Sequence, residues 1–373
     1  MPGPLTGIRV VELAGLGPAP FCGMVLADLG AEVVRVDRVG AAGTSDLLNR
    51  GKRSIAIDLK RPEGVEIVLS LVERSQALIE GFRPGVTERM GLGPDRCLEV
   101  NPSLVYGRMT GWGQEGPLAA AAGHDIDYIA LSGALASIGP ADHPIPPLNL
   151  VGDFGGGGMV LTVGVLAALL AVQAGGAGQV VDAAMVDGSA LLMTSHHGFM
   201  AESWWSPKRA DNPLDGAAPW YRTYRTGDGE YMAVGAIEPH FYAELLRVLG
   251  LTDADLPHQN DRDGWPRLRE VFADVFASRT RAEWEAAFRG VDACVAPVLD
   301  MSEAPRHPHN QARETFVTVD GVLQPAPAPR FSATPAAEPS PPPPPGRDTN
   351  EILTWLGLSD TDIGKLRETQ VVA

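Results

Sequence analysis

The chain has 373 residues, 45% apolar and 20% charged, enough for a sizeable core and two domains. Its 30 basic and 46 acidic residues leave a net charge of −16, which argues against a general nucleic-acid binder and for a small-molecule enzyme or a partner-binding protein. Cys22, Cys97 and Cys294 are too few and too scattered for a zinc site or a disulfide framework, and suit a reducing, cytoplasmic setting.

Residues 8–13 read as a strand, followed by a helix through 24–29 that stops at Gly30. Residues 32–37 read as the next strand. Pro62 starts a helix whose Val65, Val68, Leu69 and Val72 recur at helical spacing. Strands at 77–80 and 104–108 follow, and the alternation predicts an α/β fold with a mainly parallel sheet. Residues 154–178 carry no charge, but their apolar heart, 159–174, is short for a bilayer; a helix fully buried in a large core is expected, not a membrane span. A strand at 179–184 comes next. From Trp220 the pattern changes to a smaller α+β domain. A hairpin turns at Gly227-Asp228-Gly229-Glu230, and helices follow at 241–249, 265–276 and 281–288, then an extended stretch at 293–298. Residues 325–345 are rich in proline and alanine and read as a stiff linker. Helices capped near Thr349 and Ser359 end the chain. The expected domains are 1–190, a linker 191–219, a small domain 220–300, a return linker 301–347 and C-terminal helices 348–373 that dock on the large domain. With no basic segment before an apolar core near Met1, no signal segment is expected, and Val371-Val372-Ala373 does not read as a peroxisomal address of the Ser-Lys-Leu type.

Gly15-Leu16-Gly17-Pro18-Ala19-Pro20 imitates a dinucleotide fingerprint, with Asp37 where a ribose-binding acid would stand. Proline occupies the third glycine position, and Pro18 and Pro20 lack the N–H groups that cradle a pyrophosphate; a structural turn is expected. Two other segments promise chemistry. Gly123-His124-Asp125-Ile126-Asp127 sets a histidine beside two carboxylates that can tune or orient it. Gly152-Asp153 precedes a run of glycines, 155–158, that opens the apolar helix. That run offers either close packing or exposed N–H donors for an enolate oxygen near Asp153 and Gly155. Glu238-Pro239 is either a helix start or a carboxylate aimed at a cleft. His196-His197 and His307-Pro308-His309 lack carboxylates at ligand spacing, and no metal site is expected. Between Arg35 and Arg108 stand 12 basic and 10 acidic residues, a cationic region in an anionic chain. It is either ordinary helix surface or a site for a phosphate-bearing ligand. Arg50, Lys52 and Arg53 read as a basic patch in a loop.

The segments Gly7-Ile8-Arg9-Val10-Val11-Glu12-Leu13, Ala27-Asp28-Leu29-Gly30-Ala31-Glu32, Glu80-Gly81-Phe82-Arg83-Pro84-Gly85, Met109-Thr110-Gly111-Trp112-Gly113, Gly123-His124-Asp125 and Asn149-Leu150-Val151-Gly152-Asp153-Phe154 together resemble the class III CoA-transferase family, in its α-methylacyl-CoA racemase branch. The resemblance covers essentially the whole chain. It implies a Rossmann-like large domain, a small domain and an interlocked homodimer, with Glu238 brought to the site by the partner. Transferases of the family use the aspartate at the Asp153 position as a nucleophile, through an aspartyl-CoA thioester. Racemases pair it, as a base, with the histidine at the His124 position. Both residues are present here, with one residue fewer between the motifs than the family pattern leads one to expect. The implied function is racemisation of 2-methylacyl-CoA, with CoA transfer to a free acid as the alternative. His124, Asp153 and Glu238 are the expected catalytic residues. Arg38, Lys60, Arg83, Arg89 and Gly155 are expected to hold CoA, which is part of the substrate. No separate cofactor, nucleic acid or membrane is expected.

Overall fold

The strands that alternate with helices in the first half of the chain pair into one parallel sheet. They are β1 (Arg9–Leu13), β2 (Glu32–Asp37), β3 (Arg53–Ala56), β4 (Ala77–Glu80), β5 (Val105–Thr110) and β6 (Gln179–Ala184), in the order β3-β2-β1-β4-β5-β6. The computed structural model describes residues 3–43 and 46–373. Because the strand order reverses between β1 and β4, a crevice opens there at the carboxyl ends of the strands. The central strands β4 and β5 are buried along their whole length because helices cover both faces of the sheet. Val10, Ala77 and Val105 join one core, with Cys22 and Leu26 of helix Pro18–Asp28 and Leu161 and Val165 of helix Val160–Gln173. Their neighbours Val11, Leu78 and Tyr106 join the other, with Val68, Leu71 and Val72 of helix Pro62–Glu73.

The loop expected around Arg50, Lys52 and Arg53 is instead the approach to β3. Arg50 and Lys52 are buried, and their charges are spent on the fold. Lys52 Nζ lies 2.6 Å from Glu12 Oε2 and donates to the Pro20 carbonyl at 3.0 Å. Arg50 Nη2 lies 2.6 Å from Asp28 Oδ2. An open β3 edge would invite pairing with other chains. The C-terminal segment covers it. Asp348 exchanges bonds with Ser54, its N–H reaching the Ser54 carbonyl at 2.9 Å and its Oδ2 accepting the Ser54 N–H at 2.8 Å. The Asp58 N–H reaches the Val371 carbonyl at 2.8 Å.

The chain divides into two compact units. One comprises Met1–Gly133, Pro147–Met193 and Glu314–Ala373, the other Ala134–Pro146 and Thr194–Arg313. In the second unit β7 (Tyr221–Arg225) and β8 (Tyr231–Gly235) form the expected hairpin, and β9 (Val295–Pro297) pairs antiparallel with β8. Helices Pro239–Leu249, Trp265–Phe276 and Arg281–Phe288 bury Leu245, Phe272, Phe276 and Trp284 against it. The first unit also holds a hairpin the sequence reading missed, β10 (Phe316–Val319) and β11 (Val322–Pro325). It turns through Asp320 and Gly321, both at positive φ, 49° and 77°.

The long apolar helix corrects one expectation. Leu150–Gln173 is long and apolar enough to span a membrane, but its burial is one-sided and not complete. Leu161, Val165 and Leu169 are core, whereas Val163 and Leu170 are 64% and 68% exposed.

Candidate active site

The first ten residues of that helix, Leu150–Met159, wind as a wide π-helix, a form that recurs at functional sites. Asp153 stands in its first turns, half-buried. Asn149, four residues earlier, donates from Nδ2 to Asp153 Oδ2 at 3.0 Å. The Asp153 N–H donates to Asp125 Oδ1 at 2.7 Å. Asp125 opens helix Asp125–Leu131, and His124 is the residue just before it, exposed, with its N–H held by Asp127 Oδ2 at 2.9 Å. The structure thus brings the two sequence-predicted acid/base residues together through a third, Asp125. Burial raises the Asp153 pKa above the ordinary carboxyl value. The Asn149 hydrogen bond opposes this, the Asp125 charge adds to it, and His124 opposes it. Tyr128 completes the group. Burial and then the Asp153 charge raise its hydroxyl pKa, and its ring stands edge-on to Trp112 at 4.7 Å.

The glycine run does not form an open cradle. A Cβ on Gly156 would meet the Ser189 N at 2.6 Å, one on Gly157 the Met185 Cγ at 2.9 Å, and one on Gly158 the Phe21 Cδ1 at 2.7 Å. These glycines let helices Pro18–Asp28 and Met185–Leu192 approach closely, and Met185 is core. At Gly155 a Cβ would lie 3.0 Å from the Leu150 carbonyl oxygen and 3.2 Å from Leu192 Cδ1, so packing surrounds it too. The expected donor near Asp153 is also committed, since its own N–H is held by Asp125.

Beyond Gly17 lies a cleft of about 1400 Å³ at the carboxyl ends of β1 to β4. Its walls include Gly15 and Leu16 after β1, Arg38 after β2, Lys60 and Arg61 after β3, and Arg89. Gly17, at φ 67°, turns β1 into the next helix, and a Cβ there would lie 3.5 Å from Asp153 Oδ2. One short loop therefore joins the cleft to the Asp153 carboxylate. Arg38, Lys60 and Arg89 are exposed and, among the described residues, form no ion pair. Arg83 does not line the cleft. Its charge acts on the Tyr128 hydroxyl instead. Asp37 is not free for a ribose: Oδ2 accepts from Arg35 at 2.8 Å and from the Ser54 hydroxyl at 2.6 Å.

Glu238 lies in the second unit, exposed, just before helix Pro239–Leu249, and its side chain does not cap that helix. His196 also belongs to the second unit, edge-on to Trp205 at 4.8 Å. His307 starts the short helix Pro308–Ala312, within the stretch expected as the return linker. Sequence reading missed the roles of Asn149 and Asp125. The first stands one helical turn from Asp153, and the second is adjacent to His124; those spacings were the available signals.

Residues 5–349 match the family CoA-transferase family III. The chain belongs to that family. The chain is 50% identical to the α-methylacyl-CoA racemase of Mus musculus and 48% identical to that of Homo sapiens, in each case over 99% of this chain and 97% of the relative. Among solved structures, a CAIB/BAIF family protein from Brucella suis matches with a TM-score of 0.81 at 25% identity, over 95% of this chain and 100% of that one. The mixed α/β fold with a six-stranded parallel sheet is thus a family property.

Proposed function

We propose that this chain is an α-methylacyl-CoA racemase, an isomerase that interconverts (R)- and (S)-2-methylacyl-CoA thioesters by 1,1-proton transfer. The observation that carries this reading is the meeting of His124 and Asp153 at the end of a cation-lined cleft. Similarity to proteins named as racemases supports it.

The thioester carbonyl acidifies C2 of the acyl group. One of His124 and Asp153 removes the C2 proton, and the electron pair moves onto the carbonyl oxygen as an enolate. The other group returns a proton to the opposite face. A carboxyl held above its usual pKa suits a group that must both take and give a proton. Arg38, Lys60 and Arg89 are the proposed partners of the CoA phosphates, since they project unpaired into the cleft. Arg83 is assigned to the thioester side. The reaction needs no metal and no redox group, and CoA enters as part of the substrate. The strand order supports a Rossmann-like reading of the sheet. The exposed apolar face around Val163 and Leu170 supports a homodimer. The role proposed for Glu238, supplied by the second copy, rests on the family resemblance. The free thiols suit a cytoplasmic setting.

Incubation of one enantiomer of a 2-methylacyl-CoA in deuterium oxide, with and without a free carboxylic acid, tests the reading. Deuterium at C2 with loss of stereochemical purity is expected, and a His124→Ala arm should show neither. A new CoA thioester without C2 deuterium, and an acyl-enzyme trapped by hydroxylamine, would make Asp153 a nucleophile and the protein a transferase.

A further inference from the structure

We infer that Asp125 is the positioning residue of this site: its buried carboxylate clamps the Asp153 amide while its backbone carries His124, so one aspartate sets the placement of both proton-transfer groups. The inference rests on the racemase reading for its catalytic meaning, but its geometry stands apart from it.

Asp125 is 6% exposed, and a carboxylate taken that far out of water needs a reason. Oδ1 has one, the Asp153 N–H at 2.7 Å. Oδ2 is buried and, among the described residues, has no hydrogen-bond partner. An aspartate present only to start a helix would keep its carboxylate in water. The surroundings are built for this one. A Cβ on Gly152 would lie 2.4 Å from Asp125 Oδ1, so only glycine lets the clamp close. Tyr128, on the same short helix, fills a slot in which a Cβ on Gly111 or Gly123 would stand 2.1 Å or 2.8 Å from its ring. The helix that carries Asp125 is therefore held in register, and His124 with it.

The clamp also has an electrostatic consequence. Beside Asp153 stand His124, Asp125 and Tyr128 from the short helix and the neutral Asn149, while Asp127, which accepts the His124 N–H, and Arg83 act on the Tyr128 hydroxyl. The other charges on the packed elements are engaged or outside the group: Asp28 pairs with Arg50, Arg108 with Glu80, Asp182 accepts the Gln114 N–H, and Asp187 is exposed. Burial is the main cause of the raised Asp153 pKa; among the described residues Asp125 is the neighbouring anion whose charge adds to it, and Asn149 and His124 oppose it.

Asp125→Asn keeps the shape and the acceptor but removes the charge, and Asp125→Ala removes both. In full-length protein labelled with [γ-13C]aspartate, the Asp153 resonance, assigned by its loss in Asp153→Asn, is followed against pH. In Asp125→Asn it should titrate at lower pH than in the wild type. Turnover for C2 deuterium exchange should fall about 10-fold in Asp125→Asn and about 100-fold in Asp125→Ala, with KM within about twofold, and the acid limb should move to lower pH. An unmoved Asp153 titration together with unchanged kcat in a folded Asp125→Asn would overturn the inference. A wild type that exchanges no C2 deuterium would sink the racemase reading alone, because the titration still decides the role of Asp125. If Asp125→Ala does not fold, the Asp125→Asn measurements stand on their own, with thermal melting and CoA-thioester binding as controls.

Discussion

Two sets of cations occupy one stretch of chain and have opposite fates. Arg35, Arg50 and Lys52 are buried, each against a carboxylate at 2.6–2.8 Å. Arg38, Lys60 and Arg89 are exposed, open to the cleft and, among the described residues, unpaired. A cation that leaves water needs an anion brought to it by the fold, whereas one left in water without an anion remains available to a ligand. In sequence the two sets look alike, because two of the acids that neutralise the first set, Asp28 and Glu12, come from other elements of the sheet unit, and only Asp37 shares a strand with its partner, Arg35.

The largest expected effect tests the buried set. Lys52 and Glu12 are fully buried, and burial pushes the Lys52 ammonium pKa down and the Glu12 carboxyl pKa up, each opposed by the other. Lys52→Met strands Glu12 and should cost about 3–5 kcal/mol of stability by urea denaturation. Adding Glu12→Gln should recover much of it. A loss below about 1 kcal/mol would mean that the pair is not structural.

The next effect belongs to the open set. Arg38→Ala should weaken CoA-thioester binding by roughly 10- to 100-fold, the worth of a charged phosphate contact, with melting temperature unchanged. Calorimetric titration with a non-reacting CoA thioester reads this directly. A lowered melting temperature with unaltered binding would move Arg38 into the buried class.

How much of this was legible in the sequence differs between elements for physical reasons. Helix Arg281–Phe288 was readable to its ends because Thr280 and Glu283 form a capping box, a local signal. β3 was not, because four residues after a basic run carry no periodicity of their own and become a strand only by pairing with β2. The β10–β11 hairpin had a local signal in Asp320-Gly321, hidden beside the proline-rich stretch. At the site, His124 and Asp153 were legible as residue types. The clamp between them was not, since it spans 28 residues and depends on glycine packing that composition does not reveal. The glycine run was read with two meanings, and the packed helices decide for close approach.

A pH experiment probes a third, intermediate case. Glu80 is buried beside Arg108, and its pKa is pushed up to about 7, chiefly by burial, with the Phe82 N–H and Arg108 opposing. The folded state therefore holds a proton that the unfolded chain releases above its ordinary value of 4.5. Stability from this group is present below pH 4.5 and is lost as pH rises to about 7. Glu80→Gln should flatten the fall in stability between those two pH values, measured by urea denaturation across the range. A slope identical to wild type would show that Glu80 is ionised throughout, as a conventional paired carboxylate.

The smallest effect is expected where the two classes meet. Arg61 lines the cleft, yet its Nε lies 3.8 Å from Glu63 Oε2, and both side chains are about half exposed, 44% and 54%. An ion pair that long and that wet contributes between about 0 and 1 kcal/mol. Arg61→Ala should therefore shift stability by no more than about 0.5 kcal/mol and CoA-thioester affinity by no more than about threefold. Glu63→Ala frees the guanidinium, and if pairing is what withholds Arg61 from the ligand, that variant should bind a CoA thioester slightly more tightly. If Arg61→Ala weakened binding as much as Arg38→Ala, a loose surface pair would not withhold a cation, and exposure alone would mark the cations that meet the ligand.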